Sequence, residues 1–177
     1  MMNCLIIDDE PLALDILRSY VEKVPFLKLE GAYNEPLEAL QDLNNNRIDL
    51  LFLDIHMPDI NGIEFFKSLH KKPEVIFTTA YGEYATEGFN LQAIDYLLKP
   101  ISLERFITSV NRAKDYIDFQ NNKSNTDKEY FFINASYKIH KIFFKDIIYM
   151  EGLKDYTKIH LEGVPNPLLV LQNLKHF

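Results

Sequence analysis

Short apolar runs alternate with longer amphipathic stretches over the first 119 residues. The runs "CLIID" (4–8), "KLEGAY" (28–33), "IDLLFLD" (48–54), "EVIFTTA" (74–80) and "AIDYLLK" (93–99) read as strands. Several are apolar on both faces, as strands of a parallel sheet covered by helices are. Between the runs, apolar residues return at helical spacing: Leu12, Ile16, Tyr20 and Val24, then Leu37, Leu40 and Leu43, then Ile63, Phe66 and Leu69. After the last run come Leu103, Phe106, Ile107 and Val110. Pro11 suits a first helical turn, and Asn34 and Asn61 suit N-cap positions. Five such strand–helix units predict an α/β fold built on an open, doubly wound, five-stranded parallel sheet.

The pattern then changes. "QNNKSNTDK" (120–128) is polar and without a hydrophobic period, the mark of a linker or a frayed helix end. "YFFINASYKIHKIFF" predicts a β-hairpin turning at Ala135-Ser136, and "IIYMEG" and "YTKIHLEG" predict two more strands separated by "LKD". "LVLQNLKHF" is expected to begin a helix. The chain thus divides into an α/β domain at 1–119, a linker at 120–128 and a partial all-β module at 129–177.

Composition changes this picture little. Of 177 residues, 47% are hydrophobic and 25% charged, as in ordinary globular domains. The single cysteine, Cys4, sits in an apolar run and reads as a small buried hydrophobe, and it leaves no cysteine for a disulfide or a thiolate cluster. No apolar run is long enough to span a bilayer, and the N-terminal run stops at Asp8 without a basic segment before it, so a cytoplasmic protein without a membrane partner is expected. Charge is uneven. The net −7 is composed of −9 over residues 1–127 and +2 over 128–177, a hint of two parts with different partners.

The candidate chemistry lies where the apolar runs end. Ligands of open α/β sheets bind beyond the carboxyl ends of the strands. There the chain places Asp8-Asp9-Glu10 after the first run, Asp54 after the third, Thr79 in the fourth and Lys99-Pro100 after the fifth. One acid at such a place means little; groups at four strand exits point to a shared site. Asp8, Asp9 and Asp54 would repel one another without a cation among them, and Mg²⁺ suits a few carboxylate or carbonyl oxygens with water and phosphate. An oxygen of Asp54 is then a nucleophile towards phosphorus, with Thr79 and Lys99 to bind the equatorial oxygens and the small Ala80 leaving room. The plainer reading of Thr79 is a strand-favouring residue bonding nearby backbone.

The stretches "LIIDDE", "LLFLDIHMPDINGIEF", "VIFTTA" and "AIDYLLKP" are, in this order, similar to the motifs of response-regulator receiver domains, over roughly residues 2–119. The resemblance implies a flavodoxin-like receiver whose Asp54 takes a phosphoryl group from the phosphohistidine of a sensor histidine kinase. It further implies Mg²⁺ bound by Asp9 and Asp54, by Asp8 mostly through water, and by the backbone carbonyl of His56. Thr79 and Lys99 match the family's switch hydroxyl and lysine, and Tyr96 its switch aromatic, which otherwise simply packs. A cis Lys99–Pro100 bond is expected, as is a homodimer through the fourth helix, fifth strand and fifth helix. The His56 side chain is expected in solvent, and Met57-Pro58 and Asn61-Gly62 read as turn chemistry. Asp54-Ile55-His56 lacks the second aspartate of Asp-x-Asp phosphatases.

"DIIYMEG", the "KDY" turn and "NLK" resemble the LytTR type of DNA-binding domain found in LytR/AlgR-like regulators. The resemblance implies DNA contacts at Lys154 and Tyr156, in the turn with Asp155, and at Asn173. A Lys-Asp turn is equally ordinary solvated hairpin chemistry. Such a domain runs on for further strands, so 129–177 is expected to be its N-terminal, truncated part, with weak DNA binding by itself. The reading is a phosphorylation-switched transcriptional regulator, not an enzyme. The alternatives are a phosphate-sink or protein-interaction receiver without DNA output and, weakest, a Mg²⁺-dependent phosphohydrolase.

Overall fold

The computed structural model describes residues 1–45, 47–81, 93–121, 129–135, 138–172 and 174. Its first part alternates β1 (Met2–Ile7), α1 (Pro11–Glu22), β2 (Leu27–Tyr33), α2 (Leu40–Asn45), β3 (Leu50–Asp54), α3 (Gly62–Ser68), β4 (Glu74–Thr79), β5 (Asp95–Leu98) and α4 (Leu103–Asn121). The strands form one parallel five-stranded sheet in the order β2-β1-β3-β4-β5, the flavodoxin-like arrangement the sequence predicts. The helix expected between β4 and β5 falls at 82–92, outside the described residues. The one labelled α4 is therefore the fifth helix of the sequence reading.

Two cores explain why the strands are apolar on both faces. Cys4 and Ile6 of β1 and Leu50 and Phe52 of β3 join α1 and α4 through Leu14, Leu17, Val21, Phe106 and Val110. The alternate residues Leu5, Ile7, Leu51 and Leu53 meet Leu43 of α2 and Ile63, Phe65 and Phe66 of α3. Period-two alternation along a strand sends successive side chains to opposite layers, so both must be apolar. Asp95, buried in β5, accepts from Arg105 Nη2 at 3.1 Å and Arg112 Nη1 at 3.0 Å, which ties α4 to the sheet edge.

Pro11 opens α1, and Asn61 caps α3 by accepting the Ile63 N–H at 2.9 Å, as predicted. Other details differ. The core face of α1 is Ala13, Leu14, Leu17 and Val21, while Leu12 is 72% exposed. A step of four residues overshoots the helical period by about 40°, so the four positions chosen from sequence drift around the helix. Asn34 does not cap α2: successive i to i+3 turns over Glu35–Leu40 intervene, and the helix begins only at Leu40, leaving Leu37 exposed. Ile107 is likewise on the outer side of α4.

The second part is all β. The predicted hairpin is β6 (Tyr130–Ala135) paired antiparallel with β7 (Lys138–Phe143); its turn, 136–137, lies outside the described residues, as does 122–128 of the linker stretch. A 3₁₀ turn (Phe144–Asp146) leads to β8 (Ile147–Leu153), β9 (Tyr156–Leu161) and β10 (Leu168–Val170), an antiparallel sheet in the order β10-β9-β8. Leu168–Val170 is thus a strand where the sequence suggested the start of a helix, because it finds partners in Thr157–Ile159 that no local pattern reveals.

The hairpin packs in two directions. Ile139 lies in the core of α1 and α4, its N–H donating to the Ala93 carbonyl at 3.1 Å, and Phe132 meets the Tyr116 ring at 5.1 Å. Lys141 bonds Asp115 of α4 at 2.7 Å. Ile133, Ala135 and Ile142 instead form a small core with Ile159 and Val170.

Glu74, at the start of β4, generates a prediction. Burial pushes its carboxyl up from 4.5 to about 7. Between those values the folded state holds a proton that the unfolded chain releases. The contribution to stability is therefore complete below pH 4.5 and is lost as pH rises through 7. Glu74→Gln should stabilise the protein at pH 8 by on the order of 1–3 kcal/mol and change little at pH 4. Urea unfolding at both pH values checks this, and equal effects would remove Glu74 as the cause.

Candidate functional site

Four strands deliver polar groups to one edge of the sheet. Asp8 follows β1, Asp54 closes β3, Thr79 closes β4 and Lys99 follows β5. Neighbouring parallel strands in register place these ends side by side, as the pairing of Asp54 with Thr78 and of Thr79 with Leu98 records. The Lys99–Pro100 peptide is cis, as expected.

Lys99 is the centre of the cluster. Its ammonium donates to Asp8 Oδ1 at 3.0 Å, Glu10 Oε1 at 2.8 Å and Asp54 Oδ2 at 3.2 Å. Three N–H donors meet three carboxylates, which saturates the group. The Asp8 and Asp54 side chains are 0% and 3% exposed, whereas that of Glu10 is 58% exposed. Burial raises the Asp8 carboxyl above its usual range, with Lys99 opposing. Burial and the neighbouring Asp8 charge push Asp54 up to about 6 despite Lys99. Burial pulls the Lys99 ammonium down, but Glu10, Asp8 and Asp54 overcome that and hold it above its ordinary value.

The residues fit a hard cation. Asp8, Glu10 and Asp54 each offer an oxygen, all within 4.8 Å of one another. Asp9 is not of that trio, but its Oδ1 and the Oδ1 of Asp54 are buried acceptors without a hydrogen-bond partner among the described residues. Buried polar atoms are rarely left so, and the orphaned oxygen of Asp54, on a carboxylate whose other oxygen a saturated lysine already holds, calls for a positive ligand. A divalent cation such as Mg²⁺ matches an all-oxygen donor set.

The hydroxyls are arranged differently. Thr78 donates to Asp8 Oδ2 at 3.4 Å, a contact the sequence reading missed because a buried threonine in a strand carries no signal. Thr79, 2% exposed, accepts the Tyr81 N–H at 3.1 Å and lies 3.5 Å from His56 Nδ1. The His56 ring is half-buried against Tyr81, centroids 4.8 Å apart, and not in solvent as expected. A ring placed between a hydroxyl and an aromatic neighbour loses less by leaving water than an isolated imidazole would. Tyr96 is buried and stacked on Phe77 at 5.6 Å, an inward position. Gly62 has a specific reason: a Cβ there would lie 1.9 Å from the Asp54 carbonyl oxygen. The Asn61-Gly62 pair therefore caps α3 and lets its start lie against the strand that carries Asp54.

Two of the C-terminal candidates share one turn. Lys154 takes a positive φ of 54° in the turn between β8 and β9, and Tyr156, 40% exposed, pairs with Leu153. Asn173 lies outside the described residues. Among the described residues, no helix is long and apolar enough to cross a membrane.

Comparison with known proteins agrees with this geometry. Residues 4–111 match the model of the response regulator receiver domain. The chain is 36% identical over 117 residues to the sensory transduction protein LytT of Bacillus anthracis, covering 64% of this chain and 48% of LytT. It is 38% identical over 116 residues to the transcriptional regulatory protein BtsR of Escherichia coli (strain K12), again covering 64% of the chain and 48% of the relative. The chain thus spans about half the length of the curated relatives it matches. Among solved structures, the response regulatory domain of protein mrkE from Klebsiella pneumoniae superposes with a TM-score of 0.59 at 31% identity, over 66% of this chain and 98% of that one.

The raised Asp54 carboxyl carries a stability consequence. Its contribution is complete below about 3.8 and is lost as pH rises through about 6, because the folded state resists ionisation there. In metal-free buffer, Asp54→Asn should raise stability at pH 7.5 by on the order of 1–3 kcal/mol, with the gap closing near pH 4. Millimolar Mg²⁺ should narrow it at pH 7.5 by stabilising the wild type. Thermal unfolding reads all three conditions, and an Asn variant less stable than wild type at pH 7.5 without Mg²⁺ would contradict the assignment.

Proposed function

The chain belongs to the response regulator receiver domain family, and we propose that it is a two-component response regulator whose Asp54 is the phosphoacceptor. The observation that carries this reading is the Lys99 ammonium between Asp8 and Asp54, with the Oδ1 of Asp54 left as a buried acceptor. A carboxylate oxygen of Asp54 forms the new O–P bond as the N–P bond of a sensor kinase's phosphohistidine breaks, the imidazole nitrogen keeping the electron pair. Asp8, Asp9, Asp54 and the His56 carbonyl would hold Mg²⁺, which when bound neutralises charge on the phosphoryl oxygens. Lys99 leaves Asp54 Oδ2 for a phosphoryl oxygen, and the Thr79 hydroxyl turns its O–H from the Tyr81 carbonyl to donate to another. Tyr96, already inward against Phe77, then holds the space that Thr79 vacates. The result is a signal rather than turnover of a free substrate: the phosphoryl group carries about 1.5–2 negative charges where the Asp54 carboxylate carried one, and this change, with its new acceptor oxygens, biases a two-state element at one rim of the sheet.

The output we propose is transcriptional. It is supported by the similarity to the transcriptional regulatory protein BtsR and by the all-β region that follows the receiver. In this reading residues 1–119 are the receiver, 120–128 the linker and 129–177 the N-terminal part of a LytTR-type DNA-binding domain, with Lys154, Tyr156 and Asn173 towards DNA. The hairpin contacts at Ala93, Asp115 and Tyr116 give the receiver a route to that module. A homodimer through the receiver face that includes β5 and α4, in the cytoplasm with the sensor kinase, completes the proposal. The +2 charge of residues 128–177 is small for DNA binding and favours the second reading, a phosphate sink or protein-interaction receiver.

Labelling with acetyl phosphate and Mg²⁺ tests the site. Wild type should take up about one acid-labile phosphoryl group, Asp54→Asn none, and Lys99→Ala should label while losing the phosphorylation-dependent change in oligomeric state or DNA affinity. Labelling of Asp54→Asn at the wild-type level would remove Asp54 from its role.

A further inference from the structure

Glu10 breaks a local rule. It stands at the N-cap of α1, its carbonyl accepting the Leu14 N–H at 3.2 Å, yet its side chain makes no cap hydrogen bond. Ser, Thr, Asp or Asn would satisfy that helix end better, and the residue spends its carboxylate elsewhere. It reaches across to Lys99, 89 positions later in sequence, and makes the shortest of the three ammonium contacts, 2.8 Å. The backbone supports the reach, since the Glu10 N–H donates to Asp8 Oδ1 at 3.1 Å.

The three carboxylates around Lys99 are not equivalent. Among the described residues, Asp8 and Asp54 are buried with Lys99 as their counter-charge, and the Oδ1 of Asp54 is a buried acceptor without a hydrogen-bond partner. Glu10 is exposed and solvated, so it does not need the cation. As a divalent cation draws on Asp8 and Asp54, the ammonium must loosen from both. Without another anion it would either stay and compete or be left partly buried and unpaired, and both outcomes oppose cation binding.

We infer that Glu10 is a positioning residue that keeps Lys99: it holds the ammonium off the two buried carboxylates when the cation binds, and so lowers the cost of cation entry. This rests on the phosphoacceptor reading above. It assigns Glu10 no direct bond to the cation, although its oxygen lies close enough to Asp8 and Asp54 for one. Its effect on the cation runs through Lys99 alone.

A double-mutant cycle read by Mg²⁺ affinity separates the two roles. Isothermal titration of the full chain with Mg²⁺, without phosphodonor, compares wild type, Glu10→Gln, Lys99→Ala and the double variant. Glu10→Gln should weaken Mg²⁺ binding roughly five- to tenfold when Lys99 is present and leave it unchanged when Lys99 is absent. Equal weakening in both backgrounds would show a direct ligand or a general charge effect and overturn the inference, as would no weakening in either. Lys99→Met, which keeps the aliphatic stem, replaces Lys99→Ala if circular dichroism shows that the latter fails to fold. Wild type that binds no Mg²⁺ would overturn the phosphoacceptor reading itself, which a null cycle with intact wild-type binding leaves standing.

Discussion

One ammonium group among three carboxylates sets the terms for this molecule. Asp8 and Asp54 are buried at the edge of the sheet, where an unpaired charge is costly, and Lys99 is the cation the chain itself supplies. That supply is incomplete. Among the described residues the Oδ1 of Asp54 has no partner, and Asp54 is pushed up to about 6 even with Lys99 beside it. A site short of positive charge and rich in buried oxygen fits a hard divalent cation, and the phosphoacceptor reading proposed for Asp54 builds on that fit.

The fold makes this possible by rigid means. Parallel strands in register bring the residues after β1, β3, β4 and β5 to one rim, and the double layer of helices buries the sheet between them on both faces. Gly62 lets the start of α3 press against the Asp54 carbonyl, and Asn61 fixes that helix end. The edge strand β5 bears Tyr96 on its way to Lys99, and the Ile139 N–H is bonded at Ala93, just before that strand. A change at Lys99 or Tyr96 therefore arises within a few residues of the contact that ties the β6–β7 hairpin to the α/β domain.

Much of this was legible in the sequence, for a physical reason. Apolar runs ending in Asp8, Asp54, Thr79 and Lys99 announce both the strands and the rim, since a buried parallel strand tolerates polar residues only where it leaves the core. What depends on three-dimensional neighbours was not legible. The core face of α1 was misplaced because four-residue spacing only approximates a helix, and Leu168–Val170 became a strand through pairing with distant residues. The His56 ring lies against Tyr81 and Thr79, neighbours at the end of β4 and just beyond it. Glu10 was visible as an acid at a strand end, but its reach to Lys99 was not. The only signal was that glutamate is a poor choice for an N-cap.

The most direct measurement is a crystal structure with Mg²⁺ and beryllofluoride, a mimic of the phosphoryl group. The account predicts beryllium bonded to an Asp54 oxygen, the Lys99 ammonium moved from Asp54 Oδ2 to a fluoride, and the Thr79 hydroxyl donating to another fluoride with the Tyr81 carbonyl released. Beryllofluoride bound elsewhere, or Lys99 and Thr79 still holding their present partners beside an occupied Asp54, would contradict it.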